Sequence, residues 1–227
     1  MIRWQNITGR MAVTLLLVGL FLPVMSFHHI PKLLHEVIGL AWLAVAMVHL
    51  WQNRRWFVSL RQGKWDGIRV INTMINVVLI LCLLAVVVAG SGISHHLFKE
   101  IMPMDIRRSI TLHQLHLSLP YAMLILMGLH WGLHFDGWLK QWKKVLDIDI
   151  PAKVGRIIVV FFGIIVIAGG IYGSFLNRVG DRLLMKHIFA TEAAGAPMLV
   201  YVLLLLAIMG IYIAIGWLLK RKGRVKQ

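Results

Sequence analysis

The stretch LLHEVIGLAWLAVAMVHLWQ, residues 33–52, decides the reading of this chain. A helix needs about 20 apolar residues to cross a hydrocarbon layer roughly 30 Å thick, and this run has that length with a single acid, Glu36. It also carries a histidine near each end, His35 and His49. Working outward, five more apolar runs lie at 11–27, 70–93, 111–133, 156–176 and 197–219. The 227 residues are 59% hydrophobic and 15% charged, with a mean hydropathy of +0.78. Soluble domains hold about 45–50% apolar residues, so an ordinary soluble domain is excluded. The net charge of +15 would suggest nucleic acid on a soluble chain, but here the charges form short clusters between apolar runs. That is a membrane pattern.

The basic residues give an orientation. Segments 1–10, 53–69, 134–156 and 220–227 hold 17 of the 24 Lys and Arg residues; 28–32, 94–110 and 177–196 hold seven. Loops rich in Lys and Arg stay on the cytoplasmic side, so both termini are expected there. Trp4, Trp51, Trp56, Trp65, Trp138, Trp142 and Trp217 fall near the same ends, as interfacial anchors do. The first run follows Arg3 and Arg10 and contains Pro23, so it resembles a signal peptide. It exits through Val24-Met25-Ser26-Phe27-His28 with no small-residue cleavage site, and is expected to be a retained helix. The basic, Trp-rich loop 134–155 is expected along the inner headgroups. The single cysteine, Cys82, excludes a Cys-ligated iron–sulfur cluster, an internal disulfide and c-type haem attachment.

Eleven histidines are the anomaly. His35 and His49 stand 14 residues apart on the second span; His116 and His130 repeat that spacing on the fourth. Fourteen steps return to within roughly 40° of the starting face and rise about 21 Å. The second and fourth spans run parallel, so His35 matches His116 in depth near the outer edge, and His49 matches His130 near the inner edge. About half of one 14-spaced pair is expected by chance; two at matching depths call for another cause. Neutral imidazoles above and below a porphyrin are the ligand set of a six-coordinate b-type haem. Gly39 and Ala46, on the ligand face of the second span, leave room for a flat macrocycle, and Met123 and Met127 give the fourth span a pliable apolar surface. His113 and His134, each one turn from His116 and His130, are alternative ligands.

Other readings compete. The histidines could be packing groups of a membrane anchor, or could line a metal permease, although within the spans only Glu36 adds an acid. The outer histidines His28, His29, His95, His96 and His187, with Arg107 and Arg108, could be interfacial residues, a third haem site, or a quinol or partner site. Arg107 and Arg108 could also pair with outer propionates. A cytochrome reacting with superoxide or ferric iron would use the same cluster. Asn72 and Asn76 could bond to each other or face a propionate. Gly169-x-x-x-Gly173 is read as close helix packing.

The paired histidines on alternate helices resemble the membrane cytochromes b of respiratory complexes. His35-Glu36-x-x-Gly39-Leu40 leading to His49-Leu50-x-x-Asn53-x-x-Trp56 is similar to the flavinylation-associated bacterial cytochrome b family, much of it labelled as a domain of unknown function. Gly90-Ser91-Gly92-Ile93-Ser94, His130-x-x-x-His134 and, more weakly, Asn177-Arg178-x-Gly180-Asp181-x-Leu183 also fit. The resemblance covers residues 30–190 and implies a haem b electron carrier working with quinones and flavinylated partners. Fused members carry a flavin-binding domain that this sequence lacks, so a flavin would belong to a separate protein.

The expectation is therefore an all-α, polytopic membrane domain over 1–227. Its six transmembrane helices comprise a four-helix di-haem b core at about 11–135 and two covering helices at about 156–219. It would sit in a bacterial cytoplasmic membrane, with two haems b, a quinone and an extracytoplasmic redox protein as partners.

Overall fold

The computed structural model describes residues 8–147, 151–186 and 189–225. Arg3, Trp4 and His187, singled out above, lie outside them. Among the described residues the regular elements are helical: α1 (Gly9–Met25), α2 (Lys32–Gln52), α3 (Arg55–Ser59), α4 (Gly67–Gly92), α5 (Met104–Arg107), α6 (Ile110–Leu146), α7 (Ala152–Leu176), α8 (Val179–Leu183) and α9 (Met198–Val225), with 3-10 turns at Phe27–His29 and Glu192–Gly195. Polar side chains start several of them. Asp66 Oδ1 accepts the Arg69 N–H at 2.7 Å, and Ser109 Oγ accepts that of Leu112 at 3.4 Å. Each satisfies an N–H that a helix start leaves open.

Among the described residues five helices, α2, α4, α6, α7 and α9, are long and apolar enough to cross a membrane. The sequence counts six, and α1 is the difference, since it reaches only 17 residues, about 25 Å. Its stop is local: the Ser26 hydroxyl and backbone N–H both turn back onto the Leu22 carbonyl, at 2.8 and 3.0 Å. A second difference lies in α6. The charges after His130 look like the start of a loop, yet the helix runs on to Leu146. Trp131, Trp138 and Trp142 recur along that extension with ring centres 4.9 and 5.6 Å apart, and Val145 is fully buried.

On its lipid-facing side, α7 turns Ile157, Val159, Ile164 and Phe175 outward, each more than half exposed. Such a face suits hydrocarbon and would be a sticky patch in water. Three tryptophans at the basic end each lie under a guanidinium: Arg54 on Trp51, Arg69 on Trp65 and Arg221 on Trp217, at 4.5–4.7 Å.

Packing divides the bundle unevenly. α6 packs along α4 and α9, and α9 packs along α7. Glycines bring these backbones together. A Cβ at Gly128 would stand 2.7 Å from the Met209 carbonyl oxygen, and one at Gly132 would collide with that of Ile213. On α7, Gly169, Gly170 and Gly173 meet Ala207 and Leu204 of α9, which bears out the expected packing role of this glycine stripe. α2 is different. It packs along α1 and has no extended backbone packing with α4 or α6. What stands between α2 and the rest of the bundle is side chains and space.

Candidate functional site

The histidine pairs span that space. His35 faces His116 with ring centres 5.9 Å apart and planes at 86°; His49 faces His130 at 6.3 Å and 80°. The 14-residue spacing thus brings together the four residues expected, with α2 and α6 parallel. A metal–imidazole bond of about 2.0 Å on each side, plus about 1.1 Å from each nitrogen to its ring centre, sets two axial ligands about 6.2 Å apart. Both pairs stand at that separation.

Second partners orient the α6 rings. His116 Nδ1–H donates to the Val86 carbonyl at 3.1 Å, and His130 Nδ1–H donates to Asn76 Oδ1 at 2.8 Å. Each bond fixes the tautomer and leaves the Nε2 lone pair free to ligate, the usual arrangement around a metal-bound histidine. The sequence left Asn76 open between two other roles; its partner is His130. Asn72 lines the same cavity. On α2, His35 lies edge-on to Phe27 at 5.1 Å, and the Asn53 amide caps the His49 carbonyl at 2.8 Å.

Each pair borders a cavity between the helices, about 470 Å³ at the His35 end and about 580 Å³ at the His49 end. These sizes fall within the range of cofactor sites. Gly39 lines the first and has open space where a Cβ would point; Ala46 lines the second. Trp42 and Met123 border both and form the partition between them. Met127 lines the second. Two apolar slots, each with a pair of neutral nitrogen donors at axial separation, fit a flat macrocycle held from both faces. Among the described residues no group of three or more His, Cys, Asp or Glu side chains is placed to hold a metal ion by itself.

The remaining candidates separate. His113 and His134 line the two cavities, but the rings facing His35 and His49 belong to His116 and His130. His113 Nδ1–H is turned to the Ser109 carbonyl at 2.9 Å, and the His134 ring lies 5.0 Å from that of His130. Of the outer histidines, His28 and His95 line the His35-end cavity. His29 donates to the Ala196 carbonyl at 2.8 Å, while His96 is exposed and is held by its backbone. Burial lowers the pKa of His28, helped by the Arg182 charge and His29. Burial also lowers that of His95, helped by Lys32 and Arg107. Both shifts favour the neutral, proton-accepting form. Arg107 and Arg108 lie on the adjoining segment and do not border the cavity.

Three features escaped the sequence reading. Glu36 is a clamp: Oε1 accepts the N–H groups of His95 and His96 at 2.8 and 3.2 Å, and Oε2 accepts the Leu97 N–H and the Ser94 hydroxyl at 2.8 and 2.9 Å. It ties the segment after α4 to the turn carrying His35. Gly90 is the seat of His116, because a Cβ there would stand 2.6 Å from the ring Cε1. The third is that α9, expected only to cover, and the short α8 before it reach the cavities: Arg182 and Tyr201 line the first and Met209 the second. A glycine near the end of the third apolar run was the one legible hint. The other contacts depend on which helices meet.

No protein-family model, curated protein or solved structure matches the chain.

Proposed function

We propose that the chain is a six-span, di-haem b-type cytochrome of a bacterial cytoplasmic membrane, with α1 as the shortest span and α1, α2, α4 and α6 as the haem-binding core. It would carry electrons between a quinone pool and an extracytoplasmic redox partner, a separate flavoprotein being one candidate. The observation that supports this best is the repeated pair: two imidazoles on parallel helices at axial separation, twice, each against an apolar slot. A haem at each pair supplies reversible one-electron chemistry. His35 and His116 would hold the outer one, and His49 and His130 the inner one.

The protein's own residues do the rest. Val86 and Asn76 keep the Nε2 atoms of His116 and His130 unprotonated and aimed into the slots. Gly39, Ala46 and the Trp42–Met123 partition shape two compartments that would be stacked across the bilayer. At the outer end, the neutral His28 and His95 imidazoles border the cavity and can take up protons that a quinol releases on oxidation. Glu36 holds the His95 segment at that mouth.

A reduced-minus-oxidised absorption spectrum of the purified chain tests this reading. It predicts a b-type spectrum. A colourless protein would instead support an anchor or permease with packing histidines.

A further inference from the structure

Arg182 is a buried cation without a counter-ion among the described residues. Its side chain belongs to α8, and the residue is only 3% exposed. Nη2 donates to the Phe189 carbonyl at 3.1 Å, Nε is buried with no hydrogen-bond partner, and the guanidinium carbon lies 5.1 Å from the Tyr121 ring centre. Among the described residues no carboxylate pairs with it. The neighbouring Asp181 is held by Arg178 at 2.7 Å. Glu36, which borders the same cavity, already accepts four hydrogen bonds from residues 94–97.

A guanidinium does not escape burial by losing its proton. Buried charges are paired or become very costly. The ring beneath it is fixed: the Tyr121 hydroxyl donates to Asn177 Oδ1 at 2.9 Å and lies 3.2 Å from that of Tyr201, which donates to the Met25 carbonyl at 3.3 Å. The protein therefore builds a rigid support for a positive charge and turns it toward the cavity that holds His35 and His116.

We propose that Arg182 binds a carboxylate of the group held between His35 and His116, namely a propionate of a tetrapyrrole. This inference rests on the haem reading above. The planar fork of a guanidinium matches a carboxylate through two parallel hydrogen bonds. Arg182 takes the role for which the sequence offered Arg107 and Arg108, neither of which borders the cavity.

The test is reconstitution of the full-length apo-protein in detergent with iron protoporphyrin or its dimethyl ester, which lacks the negative charges. A His49→Ala background leaves only the His35–His116 site, and Soret absorbance reads binding. With Arg182 present, the diacid binds at least about tenfold more tightly than the diester. Arg182→Gln weakens the diacid by that factor and leaves the diester unchanged, so the two converge. Arg182→Lys, which keeps charge but not the fork, falls between and serves if the Gln variant does not fold. Equal binding of diacid and diester to the Arg182 chain overturns the proposal, as does an undiminished preference in either variant. If neither porphyrin gives a b-type spectrum, the haem reading fails and this inference with it.

Discussion

The His35 end and the His49 end repeat one motif in two different settings. Helical periodicity makes the repeat: one 14-residue interval, used on two parallel helices, gives ring separations of 5.9 and 6.3 Å. The surroundings do not repeat. At the His35 end the α6 histidine, His116, bonds to a backbone carbonyl and rests against a glycine, and the cavity is bordered by His28, His95, Arg182 and Tyr201. At the His49 end the α6 histidine, His130, bonds to a side-chain amide, among Trp131, Trp138 and Met127. Histidine spacing thus fixes where the two imidazole pairs stand, and the neighbours set what each site can do. One end has groups for protons and anions. The other is bordered by Arg10, His134 and the amides of Gln52, Asn53, Asn72 and Gln141.

The comparison breaks most sharply at the ligands. His49→Ala or His130→Ala should each remove the inner haem, about half the total, and leave the outer spectrum intact. His35→Ala and His116→Ala should do the reverse, and His134→Ala should keep both. Loss of both haems from one substitution in a folded protein would show that the two ends are not independent.

Two glycine substitutions come next. Gly90→Ala puts a methyl group against the His116 ring, and should lower outer haem occupancy by about ten- to a hundredfold in affinity. Gly39→Ala has open space in the protein alone, so it should leave the fold's stability unchanged and weaken only haem binding. Thermal melts with and without haem separate these cases. Unchanged haem binding in Gly39→Ala would remove that residue from the cradle.

The second partners give a smaller effect. Asn76→Leu leaves the His130 Nδ1–H buried and unpaired, and should weaken or shift the potential of the inner haem only. Asn76→Asp, by strengthening the hydrogen bond, should lower that potential. A redox titration that finds the outer component moving instead would reverse the assignment.

The smallest expected change is kinetic and pH-dependent. His95 has its pKa lowered from the ordinary 6.5, so it stays neutral as pH falls through that value and protonates only below it. Quinol-driven haem reduction should therefore hold its rate down to pH 6.5 and fall off below. His95→Gln with His96→Gln should slow it severalfold with both spectra unchanged. An acid limb above pH 6.5, or unaltered kinetics in the double variant, would move proton uptake elsewhere. Sidedness has its own check. In a Cys82→Ser background, Lys99→Cys should react with an impermeant thiol reagent in whole cells and Lys143→Cys only after the membrane is opened; the converse would exchange the outer and inner labels.

What was legible in the sequence is what depends on a single helix. The apolar runs and the 14-residue intervals are properties of one element each, so their consequences could be worked out before any packing was known. The continuation of α6 through Trp138 and Trp142 to Leu146 differs from the expected loop, because the burial of Val145 is a tertiary fact. Glu36 reaches residues about 60 positions away, Gly90 matters because α6 lies against it, and Arg182 is buried because α8 folds onto Tyr121. Of these, only Gly90 has a local signature, a glycine at the end of an apolar run. Each became visible only once the helices stood side by side.

The most direct measurement is the ratio of haem to chain in the purified protein, with a redox titration on the same sample. Two haems b per chain, titrating as two components, is the predicted result. No haem, or a single haem that survives the loss of any one of His35, His49, His116 and His130, would contradict it.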